Sequence, residues 1–136
     1  MLPGHVDEIR LNILGDDRGS LISIEKDLNI PFAIRRIYYI FGTRKNVSRG
    51  FHAHRDLQQL LVCVSGSCRV TLDDGANRID HILDSPDKAL LVKNMMWREM
   101  HDFSEDCVLM VAASEVYDER DYIRDYQEFR SLVDNA

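Results

Sequence analysis

Two histidines separated by one residue are the side chains best suited to chemistry. His52 and His54 lie in the segment 49–54, whose residues are typical of a β-strand. Side chains alternate along a strand, so both imidazoles are expected on one face. An unperturbed imidazole pKa of about 6.5 lets the same group take and return a proton near neutral pH. The pair therefore indicates a site of proton transfer.

Two neighbouring strand-like runs carry polar side chains that could share this face. The run 34–41 contains Arg36 and Tyr38 two residues apart, and the run 57–64 contains Gln59. Tyr39 is the alternative to Tyr38, which we prefer because it has the same parity as Arg36. Polar side chains are costly to bury without partners. We therefore predict that these residues and the histidines line one concave surface.

The composition is that of an ordinary soluble globular protein, with 45% hydrophobic and 29% charged residues. The length of 136 residues suits one domain with its own core, which we expect to span 1–136. A net charge of −6 argues against a general nucleic-acid binder, because phosphate backbones attract basic surfaces. The apolar runs are too short to cross a bilayer, and no signal sequence opens the chain. We expect no membrane partner.

The cysteines indicate a cellular compartment. Cys63, Cys68 and Cys107 have apolar neighbours and no spacing typical of a metal site. Free cysteine behaves as a small buried hydrophobic residue, and it persists in reducing compartments. We therefore predict three buried free thiols in a cytoplasmic protein.

About nine or ten short strands alternate with turns from residue 8 to about residue 115. The segment 73–76 is a clear hairpin signal, because Asp-Gly supplies the backbone angles that tight turns require. Many short strands with turns between them are typical of an all-β sandwich or barrel. The pattern predicts an all-β body.

The tail has a different period. Apolar side chains recur at Tyr122, Tyr126, Phe129 and Val133, with spacings of four, three and four residues. This stripe predicts a helix over about 118–133 that begins at Asp118 and packs on the β body. The acidic residues between 118 and 125 are then expected to form its solvated face.

A histidine pair inside a jelly roll suggests the cupin class, whose usual metal signature is His-x-His, four residues and then Glu, with a later histidine. Gln59 stands where that glutamate would be, and Arg98 occupies a predicted inward position near the last ligand. A guanidinium cannot bind a metal ion. His101 remains a possible third ligand, but we predict that the histidines move protons and that no metal or other cofactor is used.

Several strings resemble one cupin family, the sugar nucleotide 3,4-ketoisomerases. They extend from about residue 17 to residue 129 and are DRGSL at 17–21, RIYYIF at 36–41, RGFHAH at 49–54, LVCVSGSCRV at 61–70, LDSP at 83–86, WREMHDF at 97–103 and YDERDYIR at 117–124. The resemblance implies a cupin jelly roll with a short C-terminal helix. It also implies a metal-free homodimer that acts on a dTDP-linked keto-deoxyhexose, dTDP-4-keto-6-deoxyglucose, in deoxysugar biosynthesis for glycans such as O-antigen or S-layer glycan.

The resemblance and the residue chemistry together suggest roles for nine side chains. His52 and His54 form the predicted acid/base pair, assisted by Tyr38. The predicted substrate-binding residues are Arg18, Arg36, Arg49, Gln59, Trp97 and Arg98. Arginine suits the diphosphate because its planar fork can bind two oxygens at once, and an indole could stack on thymine.

Two other functions and the product's configuration stay open at this level. A metal-dependent cupin such as a dioxygenase would need His52, His54 and His101 around one ion. A non-catalytic sugar-nucleotide-binding cupin is the other alternative. We expect the galacto rather than the gluco product at carbon 4, because the turn that contains Arg18 resembles that branch, with Arg18 and Arg98 on either side of the sugar.

Overall fold

Short antiparallel strands make up most of the chain, as the alternating pattern predicts. The computed structural model of the protein describes residues 8–135. Its strands are β1 Glu8–Arg10, β2 Leu14–Asp16, β3 Gly19–Leu21, β4 Arg36–Ile40, β5 Arg49–His54, β6 Gln59–Ser65, β7 Cys68–Asp73, β8 Arg78–Leu83, β9 Lys88–Val92, β10 Trp97–His101, β11 Val108–Ala113 and β12 Tyr122–Ile123. A 3-10 helix covers Glu119–Asp121, and the helix α1 covers Tyr126–Asp134.

The strands form two five-stranded sheets that face each other. The first sheet has the order β1-β9-β6-β11-β4, the second has the order β12-β5-β10-β7-β8, and β2 and β3 form a separate hairpin. Strands β4 to β11 therefore alternate between the sheets as 4-11-6-9 and 5-10-7-8, which is the strand order of a jelly roll. The prediction of an all-β jelly roll with one C-terminal helix is confirmed.

The space between the two sheets is filled by apolar side chains and the three thiols. Cys63, Cys68 and Cys107 are buried and free. The Sγ atom of Cys63 lies 3.5 Å from that of Cys68 and 3.7 Å from that of Cys107. Burial raises the pKa of Cys107 to about 12, so this thiol is a poor nucleophile. The prediction of three buried free thiols is confirmed.

The prediction of a helix over 118–133 is wrong in its first half. Asp118 caps the 3-10 helix by accepting from the N–H of Arg120, and Asp125 caps α1 instead. Between them β12 pairs with β5, so that Tyr122 lies opposite His54. The apolar stripe of the helix begins at Tyr126. Tyr122 belongs to a strand, and its pairing with β5 cannot be recognised from the spacing of residues in the tail.

The nine-residue helix α1 docks on the outer face of the second sheet. Phe129 is fully buried there in a cluster with Trp97, Ala53 and Ile123. An amphipathic helix is stabilised mainly by packing of this kind. No helix within residues 8–135 is long and apolar enough to span a membrane.

Candidate active site

A β-bulge in β5 sets the direction of the side chains on the histidine strand. The register between β5 and β10 shifts at this point, with His52 opposite Arg98 and Gly50 opposite Glu99. Gly50 and Phe51 have positive φ angles of 92° and 60°. A Cβ atom at Gly50 would lie 3.0 Å from the carbonyl oxygen of Arg98. Only glycine fits this turn of the backbone without strain.

The bulge has a direct effect on the site. Arg49 and His52 would face opposite sides of an unbroken strand, because side chains alternate. With one extra residue between them, both side chains line the same cavity.

This cavity has a volume of about 680 Å³ and opens between β4 of the first sheet and β5 of the second. The volume is within the range of small-molecule sites. The structure brings four predicted residues, Arg36, Tyr38, Arg49 and His52, to its wall. The remaining lining residues are Tyr39, Ile40, Phe41, Ser48, Gly50, Phe51, Met100, Tyr122 and Arg124.

His54 lies behind His52 and is held by a carboxylate. The two imidazole centroids are 5.0 Å apart, and His54 is only 1% exposed. Its Nδ1 lies 3.0 Å from Oδ2 of Asp121, which also accepts from the backbone N–H of Leu57. A carboxylate only accepts, so Nδ1 carries the proton. Nε2 of His54 is then a free acceptor, and it has no hydrogen-bond partner among residues 8–135.

Both histidines are neutral at pH 7. Burial, and then the positive charge of Arg98, lowers the pKa of His52 to about 4. The same two causes lower the pKa of His54 to about 2, although the Asp121 carboxylate is a direct neighbour. Loss of solvation disfavours a charged imidazolium, and a nearby cation disfavours it further. Neutral imidazoles can act as bases.

Arg98 and Gln59 lie beneath the cavity wall rather than in it. Arg98 is 0% exposed, and its guanidinium donates to Oε1 of Gln59 and to the carbonyl oxygen of Met96, the latter at 3.0 Å. Nε2 of Gln59 donates to the hydroxyl oxygen of Tyr38 at 3.1 Å. Burial is the main cause that raises the pKa of Tyr38, which keeps it protonated at neutral pH. The predicted Arg98 and Gln59 therefore support the site from below.

The structure does not bring Arg18 or Trp97 to the cavity. Arg18 is in the β2–β3 hairpin, where it pairs with Asp16 and has a side chain 87% exposed. Trp97 is buried against Phe129, and its Nε1–H donates to Glu99. The expectation that Arg18 and Arg98 lie on either side of the sugar is therefore wrong for the cavity within one chain.

His101 is also separate from the histidine pair. It is on β10 but has the opposite parity from Arg98, and its ring nitrogens contact Ser48 and Glu99. Among residues 8–135, the one group of three metal-ligating side chains whose atoms lie close together is the buried cysteine cluster. The three histidines that a metal-dependent cupin would need are not assembled around one point.

Three site residues come from the tail and were missed by sequence reasoning. The ring of Tyr122 lies 4.3 Å from that of His54 and 4.9 Å from that of His52. Arg124 stacks 4.2 Å from the centroid of the Tyr122 ring. Asp121 holds His54. Their signal was the string at 117–124, which resembles the ketoisomerases although it reads as the start of a helix.

The fold and the site together define the class of this protein. A jelly roll with a same-face histidine pair beside a cavity is the architecture of a cupin. The family model described as FdtA (WxcM-like, C-terminal) matches residues 5–134, and the chain belongs to this family.

The relatives of this chain include proteins named as sugar 3,4-ketoisomerases. A TDP-4-oxo-6-deoxy-alpha-D-glucose-3,4-oxoisomerase of Aneurinibacillus thermoaerophilus is 59% identical over 119 residues, which are 87% of this chain and 85% of the relative. A 3,4-ketoisomerase from Helicobacter canadensis is 45% identical, with a TM-score of 0.91 over 93% of this chain and 96% of the other. QdtA, a sugar 3,4-ketoisomerase from Thermoanaerobacterium thermosaccharolyticum solved with TDP, is 40% identical, with a TM-score of 0.91 over 94% and 93%.

Proposed function

We propose that this protein is an isomerase that moves the keto group of dTDP-4-keto-6-deoxyglucose from carbon 4 to carbon 3. The single observation that carries this proposal is the pair of neutral histidines, His52 and His54, beside a cavity with arginines on its wall. It is supported by the family and by the 59% identical oxoisomerase. The product serves deoxysugar biosynthesis, including glycans such as O-antigen or S-layer glycan.

The reaction needs a base, a way to hold an enediolate and a donor of a proton to carbon. The histidine pair removes the proton from carbon 3, and the electron pair of that bond forms the enediolate. The imidazolium then returns a proton to carbon 4, while the hydroxyl proton at the carbon 3 oxygen is given up and the carbon 4 oxygen gains one, which leaves the carbonyl at carbon 3. A neutral imidazole at pH 7 suits the first step, and its conjugate acid suits the second. His52 is the member of the pair on the cavity wall, with His54 behind it.

The diphosphate is proposed to bind Arg36 and Arg49. Neither arginine forms an ion pair with a carboxylate of residues 8–135, whereas Arg124 is paired with Glu119 at 2.9 Å. The guanidinium of Arg36 lies 4.6 Å from the ring centroid of Tyr38. A guanidinium without a carboxylate partner is free to hold phosphate oxygens in a bidentate manner. Arg18 and Trp97 are not part of this proposed set.

The decisive experiment is incubation of the protein with dTDP-4-keto-6-deoxyglucose, followed by NMR of the product. A new carbonyl signal at carbon 3 is the expected result, and in heavy water deuterium should appear at carbon 4 to the extent that the imidazolium exchanges its proton with solvent before returning it. A protein that binds TDP but leaves the keto sugar unchanged would instead be the non-catalytic binding module.

On the acid side of the pH profile, we expect activity to fall at an unusually low pH. A base works only when unprotonated, so kcat/KM should stay flat from pH 7 to about 5 and fall near pH 4 rather than 6.5. Arg98→Met removes a neighbouring cation and should move the limb to higher pH. Circular dichroism must be measured at each pH. The unfolded chain binds more protons than the folded protein below pH 6.5, so stability decreases as the pH is lowered. A limb near 6.5 in the unaltered protein contradicts this assignment.

Activity is predicted to need no metal ion. The carbonyl oxygen of the Gln59 side chain already accepts from Arg98, and a buried guanidinium disfavours a second cation nearby. Dialysis against a strong chelator should leave turnover within about twofold of the untreated protein. Loss of activity that one particular divalent ion restores would favour the metal-dependent alternative.

The product is predicted to have the galacto configuration at carbon 4. The ground for this prediction is the resemblance of the turn that contains Arg18 to that branch of the family. Chemical reduction of the product and measurement of its proton couplings test it, because the galacto product has a small coupling between carbons 4 and 5. A large axial–axial coupling would show the gluco product.

We also propose that the chain, as one domain, works as a cytoplasmic homodimer. The outer face of the first sheet has an apolar groove of about 600 Å³, lined in part by Leu11, Ile22, Ile34, Ile37 and Met110. Exposed apolar patches of this kind mark interaction sites. The three free thiols suit a reducing compartment. Sedimentation equilibrium at micromolar concentration tests the dimer, and a monomer would contradict it.

A further inference from the structure

A chain of hydrogen bonds beneath the cavity fixes the direction in which Tyr38 can donate. It begins at the fully buried Arg98, passes through the side-chain amide of Gln59 and ends at the hydroxyl oxygen of Tyr38. A guanidinium has five N–H donors and no acceptor. The group of Gln59 that faces Arg98 must therefore be its oxygen.

The orientation of the amide then determines the role of the hydroxyl. With its oxygen toward Arg98, Gln59 presents its NH₂ group to Tyr38, and the phenolic oxygen must accept. The single O–H of Tyr38 consequently points away from Gln59. Among residues 8–135 the one hydrogen-bond partner of the Tyr38 hydroxyl is Gln59, and Tyr38 lines the cavity. The proton is thus available to a ligand in the cavity.

We propose that Gln59 is a positioning residue that, oriented by Arg98, makes Tyr38 the proton donor to the oxygens of the substrate. This inference rests on the proposed function for its substrate. As the base removes the proton from carbon 3, the C4 carbonyl oxygen takes the proton of Tyr38, and the C3–C4 double bond forms. As carbon 4 is protonated, the hydroxyl at carbon 3 returns a proton to the phenolate and becomes the carbonyl.

The surroundings of Tyr38 suit both halves of this exchange. Burial raises its pKa, so the group is a phenol before the reaction. The positive charge of Arg98 and the amide of Gln59 both favour the phenolate, which exists only between the two transfers. Interactions that strengthen only as charge develops are those that accelerate a reaction.

The direction of the bond is tested without any turnover. In protein labelled with ¹³C at tyrosine Cζ, with Tyr38→Phe to assign the signal, Gln59→Met should raise the pKa of Tyr38, because a donor to the phenolate is lost. If the hydroxyl instead donated to Gln59, the same change would lower the pKa. If Gln59→Met does not fold, the unaltered protein decides. Nuclear Overhauser contacts should join the Gln59 NH₂ protons to the Tyr38 ring, and their absence overturns the proposal.

The role of Gln59 in catalysis is tested by a double-mutant cycle. Tyr38→Phe should lower kcat by about 100-fold. Gln59→Glu should have a similar effect, because the new carboxylate accepts the Tyr38 proton and turns it away from the cavity. Both should leave TDP binding within about threefold, and the double variant should be no slower than the slower single variant.

The controls separate this inference from the proposed function. Gln58→Glu adds the same charge one residue away, on a half-buried side chain outside the cavity wall, and should keep nearly full activity. Losses that multiply in the double variant, or a Gln59→Glu variant within about threefold of the unaltered protein, overturn the positioning role. If the unaltered protein does not isomerise the keto sugar, the proposed function fails, while the pKa measurement still decides the direction of the bond.

Discussion

Replacement of either His52 or His54 by asparagine should lower turnover by about two to four orders of magnitude, the usual contribution of a general acid or base. Asparagine has a similar size and can still form hydrogen bonds, but it cannot exchange a proton near neutral pH. The fold should persist, because both positions belong to a strand paired on both sides, by β10 and β12. The loss of turnover is measured by NMR of the keto sugar in reactions stopped at fixed times.

A matched control is available on the neighbouring strand. His101→Asn makes the same change at a side chain that contacts Ser48 and Glu99 and is absent from the cavity wall. It should retain nearly full turnover, and all three variants should bind TDP within about threefold of the unaltered protein. Near-normal turnover in both His52→Asn and His54→Asn would show that the proton carriers lie elsewhere.

Asp121→Asn should lower turnover by roughly 100-fold, at the upper end of the usual effect of a group that orients a functional histidine. The asparagine oxygen, in the place of Oδ1, can still accept from the backbone N–H of Asp56, which lies 2.8 Å from Oδ1 of Asp121. Its NH₂ group then faces Nδ1 of His54. That nitrogen must accept, so Nε2 carries the proton and no longer serves as a base.

The tautomer itself is the measurement that a merely structural role would not change. In protein with ¹⁵N-labelled histidine, the His54 signals should show a protonated Nδ1 in the unaltered protein and a protonated Nε2 in Asp121→Asn. Asp118→Asn is the control, because asparagine caps a helix as well as aspartate does and, among residues 8–135, the side chain of Asp118 hydrogen-bonds only to Arg120. An unchanged tautomer with full activity would remove Asp121 from the mechanism.

The composition of the cavity wall was predictable wherever it depends on local alternation. Strand side chains alternate because the backbone is pleated, so the parity of Arg36 with Tyr38 and of His52 with His54 could be read directly from the sequence. Burial of the three thiols followed from their apolar neighbours. Alternation did not predict that Arg49 lies on the same cavity wall as His52, because this placement depends on the bulge at Gly50.

The tail shows where local patterns fail. Spacings of four, three and four residues are typical of a helix, and from Tyr126 onward the helix is real. Tyr122 fits the same spacing but pairs with His54 in a strand. This pairing joins residues far apart in the chain, and its stabilisation comes from the partner strand and not from the tail's own sequence. The local period therefore hid Asp121 and Tyr122 from the predicted site.

The sequence by itself determined the residue types of the site. The tertiary structure decided which of these side chains reach the cavity and which are buried or left in solvent. Arg18, Trp97 and Arg98 were all candidates for contact with the substrate. The hairpin leaves the first in solvent, and the helix α1 covers the second. The register of β10 against β5 turns Arg98 inward beneath His52. A buried guanidinium must find acceptors, and Gln59 and Met96 supply them only because distant strands meet there.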